Sequence, residues 1–270
     1  MASVSSGRAS RITLRVIALV YVGLILLLPV GLLFWRTFEN GLAPVWDNLT
    51  APAALHAFRI TLIVAFWAVL GNTLFGLTAS ILLVRHRWPG KRIFSALIDL
   101  PFAVSPVVAG LALILVYGPK TSFGSWLGQH GINVIFSLPG MVIATMFVSL
   151  PLVVRDVVPV LEEIGDDQEQ AAWTLGASKR QTFTRITLPA IRWALAYGVV
   201  LTLARSLGEY GAVLVVSGNV IDKTQTAPLY VGTEFQNFNQ QGAYTVAFAL
   251  AMIAIIALLL LNLVRPKEEI

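Results

Sequence analysis

The chain of 270 residues has no cysteine, 3 histidines, and charged side chains at only 12% of positions. Without a thiol there is no disulfide, no thiolate metal site and no cysteine nucleophile. The histidines, His56, His86 and His130, read as loop residues. They leave no base beside a buried nucleophile and no cluster to hold a metal, which argues against an intramembrane hydrolase. The phosphate-binding pattern G-x4-G-K-[ST] is also missing, so any ATP hydrolysis must come from another chain. No metal and no cofactor is expected here. Soluble domains carry roughly 25% charged residues. Half that share, alongside 57% hydrophobic residues, describes a chain solvated by lipid. The net charge of +5 would suggest nucleic acid in a soluble protein; here its distribution along the chain is what carries meaning.

What is present is a set of six apolar stretches, each near the roughly 20 residues that a helix needs to cross a bilayer core. They cover residues 16–35, 60–84, 97–117, 138–154, 191–216 and 244–264. The expected architecture is a single all-α membrane domain over residues 1–270 with six transmembrane helices. The first stretch is longer than the apolar core of a signal peptide, and no A-x-A-like site precedes the polar run Arg36–Glu39. It reads as a retained span. No internal repeat stands out, as a self-sufficient secondary transporter would be expected to show.

Lys and Arg sort to one side. Arg8, Arg11, Arg15, Arg85, Arg87, Lys91, Arg92, Arg155, Lys179, Arg180, Arg185, Arg192, Arg265 and Lys267 make 14 of the 19. The other side has Arg36, Arg59, Lys120 and Lys223, and Arg205 falls inside the fifth stretch. The positive-inside rule then puts both termini in the cytoplasm, with the longest cytoplasmic loop between the fourth and fifth spans.

That loop, residues 155–192, carries the most local information, concentrated over 166–189. Asp167 and Gln170 have capping-box spacing, and Ser178 and Gln181 repeat it. Gly176 between them suits a left-handed helix stop. Phe183 and Ile186 should share one face of the second short helix, and Pro189 either ends it or opens the next span. An amphipathic loop of this kind can lie against the membrane surface. The spacing from Gln170-Ala171-Ala172 through Gly176 and Ile186 to Leu188-Pro189, however, resembles the E-A-A-x3-G-x9-I-x-L-P loop of ABC importer permeases. Here Gln170 stands in the place of the family's Glu, with Glu169 just before it.

Two further strings narrow the resemblance. Residues 99–110, DLPFAVSPVVAG, look like the third span of W-type permeases of sulfate/thiosulfate importers. Residues 205–212, RSLGEYGA, resemble a signature of sulfate, molybdate and tungstate permeases. The resemblance implies a MetI-like ABC permease fold whose loop residues Gln170, Ala171, Ala172, Gly176, Ile186, Leu188 and Pro189 dock in an ATPase subunit. It implies as partners a second, T-type permease, two copies of the ATPase and an extracytoplasmic sulfate-binding protein. Molybdate, tungstate or another oxyanion is the alternative cargo. In the third span, Pro101 and Pro106 free backbone carbonyls, either at a packing kink or where Ser105 and Pro106 line a cavity. In the fifth, Arg205 and Glu209 are four residues apart, close enough to pair. They form a structural ion pair, a charged lining of the pathway, or both. The polar and aromatic stretch 218–242 suits either the membrane interface or a docking partner.

The charge asymmetry yields a topological prediction. A reporter active only outside the cytoplasm is expected to work when fused after Trp46, Gln129 or Gln225 and to fail after Lys91 or Ser178. Activity at Ser178 would place the loop on the wrong side for an intracellular ATPase.

Overall fold

The computed structural model describes residues 8–264; Arg265 and Lys267, counted above on the basic side, lie outside the described residues, as do both chain ends. Among the described residues every regular element is a helix and no strand occurs. Helix α1 (Arg8–Val22) passes through one π-turn at Gly23–Leu27 into α2 (Leu28–Phe38), so the first span is a single rod. A proline ring crowds the carbonyl four residues back. For Pro29 that carbonyl belongs to Ile25, inside the widened turn, where the crowding is relieved. After the short α3 (Leu42–Thr50), α4 (Pro52–Arg85) runs for 34 residues. At 1.5 Å per residue that is about 50 Å, longer than the bilayer core is thick. His56 lies in its second turn, so the loop placement expected for that residue is wrong.

The third span is the first departure in architecture. In place of one helix over 97–117 there are two, α5 (Lys91–Ala103) and α6 (Pro106–Tyr117), bent by 114° at the break. Pro101 is accommodated inside α5, and the break falls at Val104–Ser105. A proline disfavours helical geometry in the residue before it, and Ser105 is extended (ψ 136°) ahead of Pro106. The described chain thus has five uninterrupted apolar helices, with the bent pair as a sixth span. Beyond α7 (Ser122–Gln129), α8 (Leu138–Ser149) and α9 (Pro151–Glu163) form one rod reaching nine residues past the expected end at Val154. Next come α10 (Asp167–Thr174) and α11 (Lys179–Thr182). A π-turn at Phe183–Thr187 then leads into α12 (Leu188–Leu207) without a stop. Pro189 therefore lies within a continuous helix, its i−4 partner Arg185 again inside a π-turn. The fifth span, expected over 191–216, ends at Leu207; α13 (Gly211–Ser217) is a separate helix. Helix α14 (Ala227–Gln236) and α15 (Gln240–Val264) complete the order.

Lipid tails are as apolar as leucine, so these helices associate through close approach and polar contacts. Helix α4 shows both. It turns Ala54, Ala57, Ala65, Ala68 and Gly76 inward. Its buried Asn72 donates to Ser149 Oγ at 2.8 Å and to the carbonyl of Met146 at 3.0 Å, tying α4 to the α8–α9 rod. One apolar core joins Met141, Ala144 and Val148 of α8 to Ala212, Val213 and Val216 of α13 and Val64 of α4. A second, of Val153, Val157, Leu161 and Ile191, holds α9 to α12. The outer surface is lined with exposed Leu, Ile, Val and aromatic side chains, as a lipid-facing wall requires.

Helices α6 and α13 pack closely at a glycine. A Cβ built on Gly110 would sit 2.8 Å from the Ala212 carbonyl oxygen and 2.9 Å from Val215 Cβ. Gly110→Ala should therefore lower the unfolding temperature of the purified protein in detergent, by a cost of about 1–3 kcal/mol typical of overpacking. Gly31→Ala, where a Cβ meets nothing within 4 Å, should leave it unchanged or raise it slightly. Equal effects of the two would show that the α6–α13 contact is not tight.

Candidate coupling elbow and translocation pathway

The loop between α9 and α12 folds into an elbow of two short helices. Gly176 sits at the bend with φ +86°, in the left-handed region that a side chain disfavours. The second capping box forms as expected: the Ser178 amide donates to Gln181 Oε1 at 2.8 Å and the Gln181 amide to Ser178 Oγ at 3.3 Å. The first does not. Helix α10 starts after Asp166 with no side-chain cap bond, although Asp167 and Glu169 in its first turn still suit the positive end of the helix dipole. Of the motif residues, Gln170, Ala171, Gly176 and Pro189 are exposed, while Ala172, Ile186 and Leu188 are half-buried. Beside them Leu175 is 88% exposed and Trp173 stands half out, so the outer face of the elbow carries apolar groups without cover in this chain.

The residue that turns inward is Glu169, next to the motif position. It is buried in a bidentate ion pair, with Arg85 Nε 3.0 Å from Oε2 and Arg85 Nη2 3.1 Å from Oε1. Thr187 Oγ1 adds a hydrogen bond to Oε1 at 2.8 Å. Sequence reasoning missed Arg85, which had counted only as one more basic residue at the end of a span. An arginine closing an apolar run, with an acid beside the A-A pair of the distant loop, was the available signal.

The second group of residues lies where two helices are interrupted. Arg205 in the last turn of α12 and Glu209 in the break before α13 are in ionic contact, Nη1 to Oε2, at 2.7 Å. The pairing expected from their spacing is present, although Glu209 lies beyond the helix end. Its other oxygen accepts the amide of Ala212 at 2.9 Å, so the carboxylate caps the start of α13. The two side chains differ in burial, 2% exposed for Glu209 and 38% for Arg205. Ser105 is exposed in the α5–α6 break and Pro106 opens α6. Helices α6 and α13 bring the two breaks together, since a Cβ on Gly211 would lie 3.1 Å from Pro106 Cβ. Among the described residues no hydrogen bond links Arg205 to Ser105, and no group of three metal-binding side chains occurs.

The stretch 218–242 is more enclosed than its polarity suggested. Thr224, Gln225, Thr226 and Tyr230 are buried. Thr224 Oγ1 donates to the Ser217 carbonyl at 2.7 Å, and the Ala227 amide donates to Thr61 Oγ1 of α4 at 2.7 Å. Burial, and secondarily the Glu234 carboxylate, push the Tyr230 phenol above its ordinary value, so it stays neutral. Its exposed parts are the turn at Val220, Ile221, Asp222 and Lys223 and the tip at Phe235, Asn237, Phe238, Asn239 and Gln240.

Comparison with known proteins agrees with this anatomy. Residues 72–266 match the family of binding-protein-dependent transport system inner membrane components. The sulfate transport system permease protein CysW of Synechocystis sp. is 46% identical over 251 residues, 93% of this chain and 91% of that protein. The CysT permease protein of Escherichia coli is 38% identical over 250 residues, 93% of this chain and 90% of that one. Among solved structures, a bacterial alginate ABC transporter in complex with its alginate-bound periplasmic protein matches with a TM-score of 0.78. It covers 93% of this chain and 91% of that one at 16% identity, and so bears on the fold alone. The chain belongs to the binding-protein-dependent transport system inner membrane component family and groups with its CysW-type sulfate permeases.

Proposed function

We propose that this protein is a permease subunit of an ATP-driven ABC importer that carries sulfate, and thiosulfate with it, into the cytoplasm. The observation that carries the importer reading is the elbow. Two short helices meet at a left-handed Gly176 and present Leu175, Trp173, Gln170 and Ala171 outward, while the inner side is fixed by an ion pair. Such a surface fits a groove on an ATPase. The sulfate reading rests on the relatives named CysW and CysT, and on an arginine at the meeting of two helix breaks. Having both W- and T-type proteins among its relatives favours pairing with an unlike, T-type permease. Two ATPase copies on the elbow side and an extracytoplasmic sulfate-binding protein on the other complete the assembly, with both chain termini in the cytoplasm. The chain itself does no catalysis and needs no cofactor.

Arg205 and Glu209 give the pathway its chemistry in this reading. Glu209 is anchored by the α13 amide and buried, so it stays in place; Arg205 is partly exposed and has guanidinium donors to spare. A passing dianion meets those donors while the carboxylate behind them keeps it from being held tightly. Ser105 and Pro106, in the break that packs against α13, belong to the same lining. Molybdate and tungstate share the charge and tetrahedral shape of sulfate. Uptake of each oxyanion by the reconstituted importer, alongside its affinity for the cognate binding protein, decides the cargo.

Two sets of variants test the assignments. A residue with a Cβ pays about 1–2 kcal/mol in the left-handed conformation, and a β-branched one more. Gly176→Val should therefore abolish uptake and weaken ATPase co-purification with insertion intact, whereas Gly176→Asn should be tolerated. Normal uptake by Gly176→Val would remove the elbow as the coupling element. For the pathway, uptake by Arg205→Ala, Glu209→Ala and the double variant forms a double-mutant cycle. Arg205→Ala should lower sulfate uptake even when Glu209→Ala accompanies it. Full uptake by the double variant at normal abundance would leave the pair with a structural role alone.

A further inference from the structure

Helix α10 has eight residues, and isolated helices shorter than roughly 12–15 residues are marginal in water. It buries no apolar side chain; Glu169 is its one buried residue. A glycine in left-handed conformation stands on each side, Gly165 at φ +61° and Gly176 at φ +86°, both in open space. An element with two such joints and no apolar anchor would swing when pushed rather than pass the push on.

What holds it is one guanidinium. Arg85 binds both oxygens of Glu169 and also donates from Nη1 to the Leu161 carbonyl at 3.0 Å and from Nη2 to the Gly165 carbonyl at 2.7 Å. Thr187 Oγ1 completes the carboxylate's bonds. Arg85 closes α4, Leu161 lies in the last turns of α9, and Thr187 ends the π-turn leading into α12. The ends of three spans are thus bonded, through one ion pair, to the short helix of the elbow. At 13% and 9% side-chain exposure the pair is shielded from water and salt. The fixed planar fork of arginine makes these directed contacts; a lysine would bring the charge without the fork.

We infer that the Arg85–Glu169 pair is the strut by which a displacement of the elbow reaches the membrane spans, which makes Arg85 a positioning residue for transport. This rests on the importer reading above. Gln170, at the motif position, is exposed and takes no part in it.

The test measures ATP hydrolysis and sulfate uptake together in proteoliposomes holding the whole assembled importer, with Arg85→Gln, Arg85→Lys, Glu169→Gln and Thr187→Val. Uptake per ATP hydrolysed should fall by about 2- to 30-fold in the first three, the range seen for changes along coupled networks. Thr187→Val should fall less, and the ATPase should stay bound throughout. Glu169→Gln and Thr187→Val are close in size to the originals, so the ratio stays readable even if an Arg85 variant fails to fold. A role in folding alone would lower hydrolysis and uptake in proportion; an unchanged ratio overturns the strut. Loss of the ATPase from Glu169→Gln but not from Arg85→Gln would also overturn it, by making Glu169 a contact to the ATPase. If the unmodified protein binds no ATPase, the importer reading falls and the strut with it.

Discussion

A bilayer core offers no water to an unpaired peptide group, so each interruption of a helix inside it must be satisfied by protein or open onto a cavity. The centre of this molecule is arranged around that constraint. Its two interruptions, at Val104–Ser105 and at Gly208–Tyr210, are brought side by side by the packing of α6 on α13. The amide freed at the start of α13 is taken by the Glu209 carboxylate, and that carboxylate in turn requires Arg205. An ion pair that would be costly on an unbroken helix facing lipid is here the cap of a broken one.

The elbow repeats this logic at the end of the bundle. Glu169 is buried because Arg85 and Thr187 satisfy it, and half-buried Arg85 in turn takes the Leu161 and Gly165 carbonyls where α9 ends. Each of the two carboxylates thus meets one arginine and one neutral donor, and each stands where a helix starts or stops. Breaking either pair would leave a buried charge without a partner, a far larger cost than the pair's net contribution. Such sites can be moved as units but are hard to dismantle.

Three of the prolines show two outcomes, while Pro101 and Pro159 sit inside α5 and α9 with no π-turn before them. Pro29 and Pro189 follow π-turns that draw the obstructing carbonyl aside, so the helix continues and the span remains a rod. Pro106 has extended residues before it and sits at the first position of a new helix, so the span breaks. Residue type alone does not separate these cases. What separates them is whether neighbouring helices supply a place for the bent chain, as α13 does for α6.

Composition and hydropathy by themselves determined that the chain lies in a membrane as an all-α protein, because solvation by lipid constrains every residue of a span. The Ser178–Gln181 box and the left-handed Gly176 were also legible, being short-range geometry that the spacing dictates. So was the Arg205–Glu209 pair, four residues apart. The tertiary structure alone decided the rest. It set the 114° bend in the third span and the end of the fifth at Leu207, which depend on what α6 and α13 find to pack against. It buried Thr224, Gln225 and Thr226, whose polarity had suggested a surface. It also joined Arg85 to Glu169 across 84 positions of sequence, a partnership no local pattern encodes, because what selects it is the meeting of three helix ends.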